Sequence, residues 1–221
     1  MELSLVSTWS EFGFAFGSVV VLALGGLLLS SYVKIVTVLG MVRVGLGFQS
    51  LPSAFVTTGL ALALSLLVMY PTMFKSTAAM DKVFKQSGSK SSSVQARALD
   101  KGLEEWRGFL VEQTQPEERE RFHSISKNMY SDKNIDHEVS DTDWPVIAPA
   151  FIVSELKKAF ATGLSIFLPF LIIDLLVANI LAAVGYIQLS PMFVAFPFKL
   201  LLFVLVDGWS MITTNIISTY V

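Results

Sequence analysis

The stretch LPFLIIDLLVANILAAVGYIQLSPMFVAFPFKLLLFVLVDGW, residues 168–209, decides the fold. Its charges are Asp174, Lys199 and Asp207, and GYIQLSP (185–191) interrupts it with the glycine, serine and proline of a tight reversal. A bilayer core about 30 Å thick calls for about 20 apolar residues per helix, and the runs on either side of the reversal are of that order. They predict an apolar helical hairpin. Charge inside such a hairpin is costly unless it meets a partner or water, so Asp174 and Lys199 are functional candidates. Asp174 lies 14 residues before Gln188 and Lys199 lies 11 after it. In antiparallel helices that leaves an offset of about 4.5 Å, which a lysine stem spans. An ion pair that holds the hairpin or joins neighbouring subunits is one reading; a proton or ion relay is the other. Asp207 precedes Gly208 and Trp209, and tryptophan anchors well at a membrane interface.

Outward from this segment, the third apolar run occupies 159–184 after Glu155, Lys157 and Lys158, and the fourth occupies 192–221. A matching pair lies in the first third of the chain. Residues 12–33 are uncharged and carry Gly13 and Gly17 at i and i+4, a spacing that lets helix backbones approach closely, although glycine is also common in membrane helices generally. Residues 44–74 contain GLALALSLLVMYP (59–71), with Gln49, Ser50, Pro52 and Ser53 as the expected entry and Pro71 as the expected exit. The predicted fold is therefore all-α, with two membrane-type apolar hairpins (1–74 and 148–221) around a small helical polar insert (75–147).

The distribution of charge supports this division. Of 34 charged residues, 16 basic and 18 acidic, 27 fall between Lys75 and Lys158. Within the insert, QSGSKSSS (86–93) has the composition of a loop. Leu99, Leu103, Trp106 and Leu110 recur at helical spacing among charged neighbours, and Pro116 opens a second short helix through Ile125. Lys34 and Arg43 are the positive charges between the first two runs, which places that connection in the cytoplasm and the insert on the periplasmic side. The segment MELSLVSTWSEF (1–12) lacks the positive n-region of a cleavable leader, so the first run is expected to be retained.

Catalytic, cofactor and metal sites are not expected. The chain has no cysteine, no GxxxxGK[ST] phosphate loop, and two histidines, His123 and His137, without metal-ligand spacing; both are read as solvated. The acidic stretch 132–143 has no calcium-loop glycine or terminal glutamate. A net charge of −2 gives no basic face for nucleic acid.

Several segments taken together resemble the FliP/SctR family of type III secretion export-gate proteins: SYVKIVTVLGMVRVGLGFQSLP (31–52), GLALALSLLVMYP (59–71), APAFIVSELKKAF (148–160), LPFLIIDLLVANIL (168–181) and FPFKLLLFVLVDGW (196–209). The resemblance implies a non-enzymatic subunit of the bacterial inner-membrane export apparatus. Several copies would join small helical subunits of the SctS/FliQ and SctT/FliR type, in contact with membrane lipid, to form a closed pore that passes unfolded polypeptide. It also implies helices raised largely out of the bilayer in the finished assembly. The flagellar branch usually carries a cleaved leader, so the resemblance points to the injectisome branch. The family usually places methionines after the glycine of the second reversal, where they close the pore. Here Tyr186, Ile187, Gln188, Leu189 and Met192 occupy those positions as the implied constriction, with an ordinary turn as the other reading. A small ion-coupled transporter or channel subunit using Asp174 and Lys199 is the alternative from another class.

Overall fold

The structure is a computed structural model that describes residues 23–47, 51–88, 91–133, 138–186 and 188–220, with side chains from 54 onward in the second of these segments. Gly13, Gly17, Ile187 and His137 lie outside the described residues, as does the first half of the first apolar run. Among the described residues, a short helical segment at 23–28 is followed by seven helices: α1 (Tyr32–Leu46), α2 (Leu51–Ser87), α3 (Ser92–Gln113), α4 (Pro116–Asp132), α5 (Trp144–Val184), α6 (Pro191–Leu205) and α7 (Gly208–Ser218). The fold is all-α, with no strand among the described residues.

Helix α1 is the centre of the molecule. Its buried residues Ile35, Val38, Leu39, Val42 and Leu46 recur every three or four positions and so form one stripe. Against that stripe pack Ala61 of α2, Ala159 and Phe170 of α5, Phe203 of α6, and Ile212 and Ile216 of α7. Gly47, with φ 89°, ends the helix and returns its N–H to Arg43 and Val44 carbonyls. The connection expected to be a cytoplasmic loop carrying Lys34 and Arg43 is thus largely a 15-residue helix, and Lys34 is buried within the protein. The helical spacing of its apolar residues, rather than its two charges, governs its structure.

Ala54–Ser87 and Trp144–Val184 are long and apolar enough to cross a membrane. Pro71 does not end the first of these: α2 continues sixteen residues past it to Ser87. Proline within an apolar helix frees one carbonyl that neighbouring groups can satisfy, and beyond it α2 is held by α3, where Ser76 Oγ donates to the Gly102 carbonyl at 2.9 Å. That close approach selects the inward face of α3. Val94, Ala98, Gly102 and Leu110 are buried while Leu99 and Leu103 are exposed, so the first half of the expected stripe is displaced by one position and its second half, Leu110 with Trp106 packed against its cluster, faces inward as expected. Helix α4 packs along the start of α5.

Helix α5 ends at Gly185, φ 85°, whose N–H bonds to the Ala182 carbonyl while that of Tyr186 bonds to Leu181. Pro191 opens α6 at its first turn, where a missing N–H costs nothing. The fourth run is not straight: α6 and α7 meet at 62°. Asp207 forms the corner with φ 48°, the one non-glycine residue with positive φ among the described residues. Gly208 follows it with the Phe203 ring so close that an added Cβ would stand 2.3 Å from a ring carbon. Trp209 packs edge-on against the same ring at 5.2 Å.

Candidate functional site

The charges outside the polar surface fall into three groups. The first lies on the second hairpin. Lys199 sits on α6 at 3% exposure, and its Nζ donates to Asp174 Oδ2 on α5 at 2.6 Å and to the Gly45 carbonyl at the end of α1 at 3.0 Å. One ammonium therefore joins three helices. Asp174 is 40% exposed, and its Oδ1 is buried without a hydrogen-bond partner among the described residues. An unpaired buried oxygen of this kind costs about 1–3 kcal/mol.

The sequence does not single out the second group. Lys34 on α1 donates to Thr219 Oγ1 at 2.5 Å and stands 4.4 Å from the centre of the Tyr220 ring. The Tyr220 hydroxyl donates to Glu155 Oε2, and Glu155 Oε1 lies 3.1 Å from Lys158 Nζ. Lys158 in turn donates to the Gln113 carbonyl at the end of α3. Lys34, which lies outside the long apolar helices, has its ammonium pushed below its ordinary pKa by burial, with Glu155 opposing the shift and Lys158 adding to it. The network ties α1, α3, α5 and the segment after α7 at one point. Glu118 of α4, also buried, accepts from Lys157, and the Gln115 N–H donates to Ser154 Oγ at 2.9 Å, so the insert is clamped along one turn of α5. The available sequence signal is Glu155, Lys157 and Lys158 at the head of an apolar run. Their partners are 39 to 65 residues away in the chain, beyond any local spacing rule.

The third group has no partner among the described residues. Arg43 Nε is buried without a hydrogen bond, in a groove walled by Gly40, Val44, Phe160 and Leu164. Asp207 stands among exposed Val204, Leu205, Val206 and Trp209, with no side-chain hydrogen bond or ion pair among the described residues. A lone aspartate at depth in a bilayer costs about 2.5–3.5 kcal/mol on insertion scales.

Of the remaining sequence candidates, Tyr186, Gln188, Leu189 and Met192 are exposed at the tip of the α5–α6 hairpin. His123 is not simply solvated: its Nε2 is 2.9 Å from the Val139 carbonyl, joining α4 to the approach of α5. Among the described residues no group of three or more His, Cys, Asp or Glu is placed to hold a metal.

The arrangement pins helices by buried charge and leaves a hairpin tip and two charges unsatisfied, as suits a part of something larger. Residues 17–216 match the FliP family. The chain is 39% identical over 191 residues to the Yop proteins translocation protein R of Yersinia pestis, covering 86% of this chain and 87% of that protein. It is 36% identical over 204 residues to the hypersensitivity response secretion protein HrcR of Ralstonia nicotianae, covering 92% and 93%. With the flagellar biosynthetic protein FliP of Borreliella burgdorferi it shares 36% over 199 residues, covering 87% and 74%. Helices α1 to α6 and the buried charges Lys34, Glu155 and Lys199 that join them thus fall within one family match, and the chain belongs to the FliP family.

Proposed function

We propose that the chain is a structural, non-enzymatic subunit of the export gate of a type III secretion system in the bacterial inner membrane. The observation that carries this is the match to secretion and flagellar export proteins over residues 17–216, which leaves out neither hairpin. Several copies join small helical subunits of the SctS/FliQ and SctT/FliR type around a pore for unfolded polypeptide. Asp174 and Lys199 keep the α5–α6 hairpin in register with α1 during assembly, and the polar insert faces the periplasm. The tip residues Tyr186, Ile187, Gln188, Leu189 and Met192 converge on the axis as the constriction. Apolar bulk there can close a pore by excluding water, although stiff Ile187 replaces the adaptable methionine usual at such a site.

The test is restoration of secretion in a strain lacking its own FliP-family subunit, with the mass of the detergent-extracted complex measured in parallel. Restored secretion with a closed multi-subunit particle is expected. The unpartnered Asp174 Oδ1 favours one second reading, an ion-coupled carrier. Purified chain alone would then carry ions across vesicles, and a monomeric particle with such flux would replace the export-gate reading.

A further inference from the structure

Arg43 and Asp207 are the two charges that the folded chain, among its described residues, leaves unanswered in apolar surroundings. They line different clefts. Arg43 borders an open groove of about 450 Å³ between α1 and α5, whose Gly40 leaves a Cβ-sized space with nothing within 4 Å. Asp207 borders a cleft formed with Leu46, Leu200 and Trp209, and the 62° corner there projects it from the end of α6. From these positions we infer that Asp207 of one copy enters the Arg43 groove of the next copy, where its carboxylate accepts from the guanidinium. The inference rests on the reading above that several copies assemble.

Charge complementarity selects a second copy as the occupant. An anionic lipid headgroup in the groove would answer Arg43 and leave Asp207 stranded. A basic partner would do the reverse. A copy of this chain brings both charges, one on each of two different surfaces, so one repeated contact satisfies both. Arginine suits the role because its planar fork matches a carboxylate in two parallel hydrogen bonds. A contact between two different surfaces of the same chain is head-to-tail, and repetition closes it into a ring or extends it as a helical array. The apolar walls, Phe160 and Leu164 on one side and the exposed Val204, Leu205 and Trp209 on the other, would exclude water around the pair.

The test uses the full chain co-expressed with its export apparatus and reads the amount of detergent-stable multimer on native gels. Arg43→Asp and Asp207→Arg should each lower it at least about tenfold, the change expected when an interaction of ordinary pairwise strength is lost. Asp207→Asn, which tolerates the same backbone angle, should also lower it. The deciding step expresses the two reversals together, once in a single chain and once as two separate chains in one cell. In the mixed cell the carboxylate introduced at position 43 of one variant faces the guanidinium introduced at position 207 of the other. The unaltered Arg43 and Asp207 of the two variants face each other likewise, so alternating copies re-form every intermolecular contact in an even ring or open array and all but one in an odd ring, while no chain can pair with itself. Recovery of multimer in both arrangements is the expected result. Recovery only in the single doubly reversed chain would mean that the pair closes within one subunit, and recovery in neither, or wild-type assembly of Asp207→Asn, would mean that the two charges do not meet; each overturns the inference. If the unaltered chain itself yields no multimer, the export-gate reading fails instead.

Discussion

The two ends of the α5 helix solve the burial of charge in opposite ways. At its beginning, Glu155 is fully buried and reached by Tyr220 and Lys158, with Lys34 bridging through Thr219 and the Tyr220 ring, so every group has its partner within the chain. At its far end, the hairpin tip exposes Tyr186, Leu189 and Phe193, and Asp174 keeps one oxygen unpaired among the described residues. The first region is finished on folding. The second is left for assembly to finish, and the boundary between them is the point at which α5 leaves the insert behind.

The sharpest way to break this contrast is Glu155→Ala. It strips the acceptor from Tyr220 and Lys158 and leaves Lys34 buried beside no anion, a loss of about 3–5 kcal/mol when one partner of a buried pair is removed. Loss of folded chain in a detergent denaturation series should be evident before any question of assembly arises. Next in size is Leu39→Ala in the central stripe, expected to cost about 2–5 kcal/mol through the cavity it opens. A change of under about 1 kcal/mol would mean that α1 is not the core of the isolated chain.

At the hairpin the expected effects are smaller and of another kind. Asp174→Asn and Lys199→Gln should each impair assembly, and the double change should cost less than the sum; because Asp174 is partly exposed, a coupling of about 1 kcal/mol is expected in a double-mutant cycle. Strict additivity would separate the two charges functionally despite their 2.6 Å contact. Smallest in stability, at under about 0.5 kcal/mol, are Ile187→Gly and Leu189→Gly together, at a tip where Leu189 is exposed. Their signature is conductance: small ions should leak through the reconstituted assembly, and matching changes at Leu62 and Leu64 should leave it tight. Orientation can be read separately by single cysteines in this cysteine-free chain. Ser91→Cys should react with an impermeant reagent from the periplasmic side and Gly40→Cys should not; the reverse pattern would invert the topology.

The apolar blocks, the Gly185 reversal and the short helix begun by Pro116 were legible because each has a local cause: run length, a left-handed cap, a missing N–H. The approach of Lys199 to Asp174 was also within reach, since a tight turn converts sequence distance into spatial offset. Other features depend on what the chain meets later. Pro71 reads as a helix stop by its chemistry, but α3 supports α2 beyond it. Lys34 reads as a solvated loop charge until Thr219 and Tyr220, 185 and 186 positions later, close over it. The first half of the inward face of α3 is set by Ala98 and Gly102, small residues that permit contact with α2, rather than by Leu99 and Leu103, whereas Leu110 is buried as its spacing implies.

The fit of the Phe203 ring over Gly208 makes α7 a lever. Its pivot is the corner at Asp207, and its far end, eleven residues and about 16 Å away, carries Thr219 and Tyr220 into contact with Lys34. Any side chain at position 208 must displace that ring or swing the helix, since it would begin 2.3 Å from a ring carbon. A methyl group added at one end of the rod would therefore register at the other, as a Tyr220 drawn off Glu155.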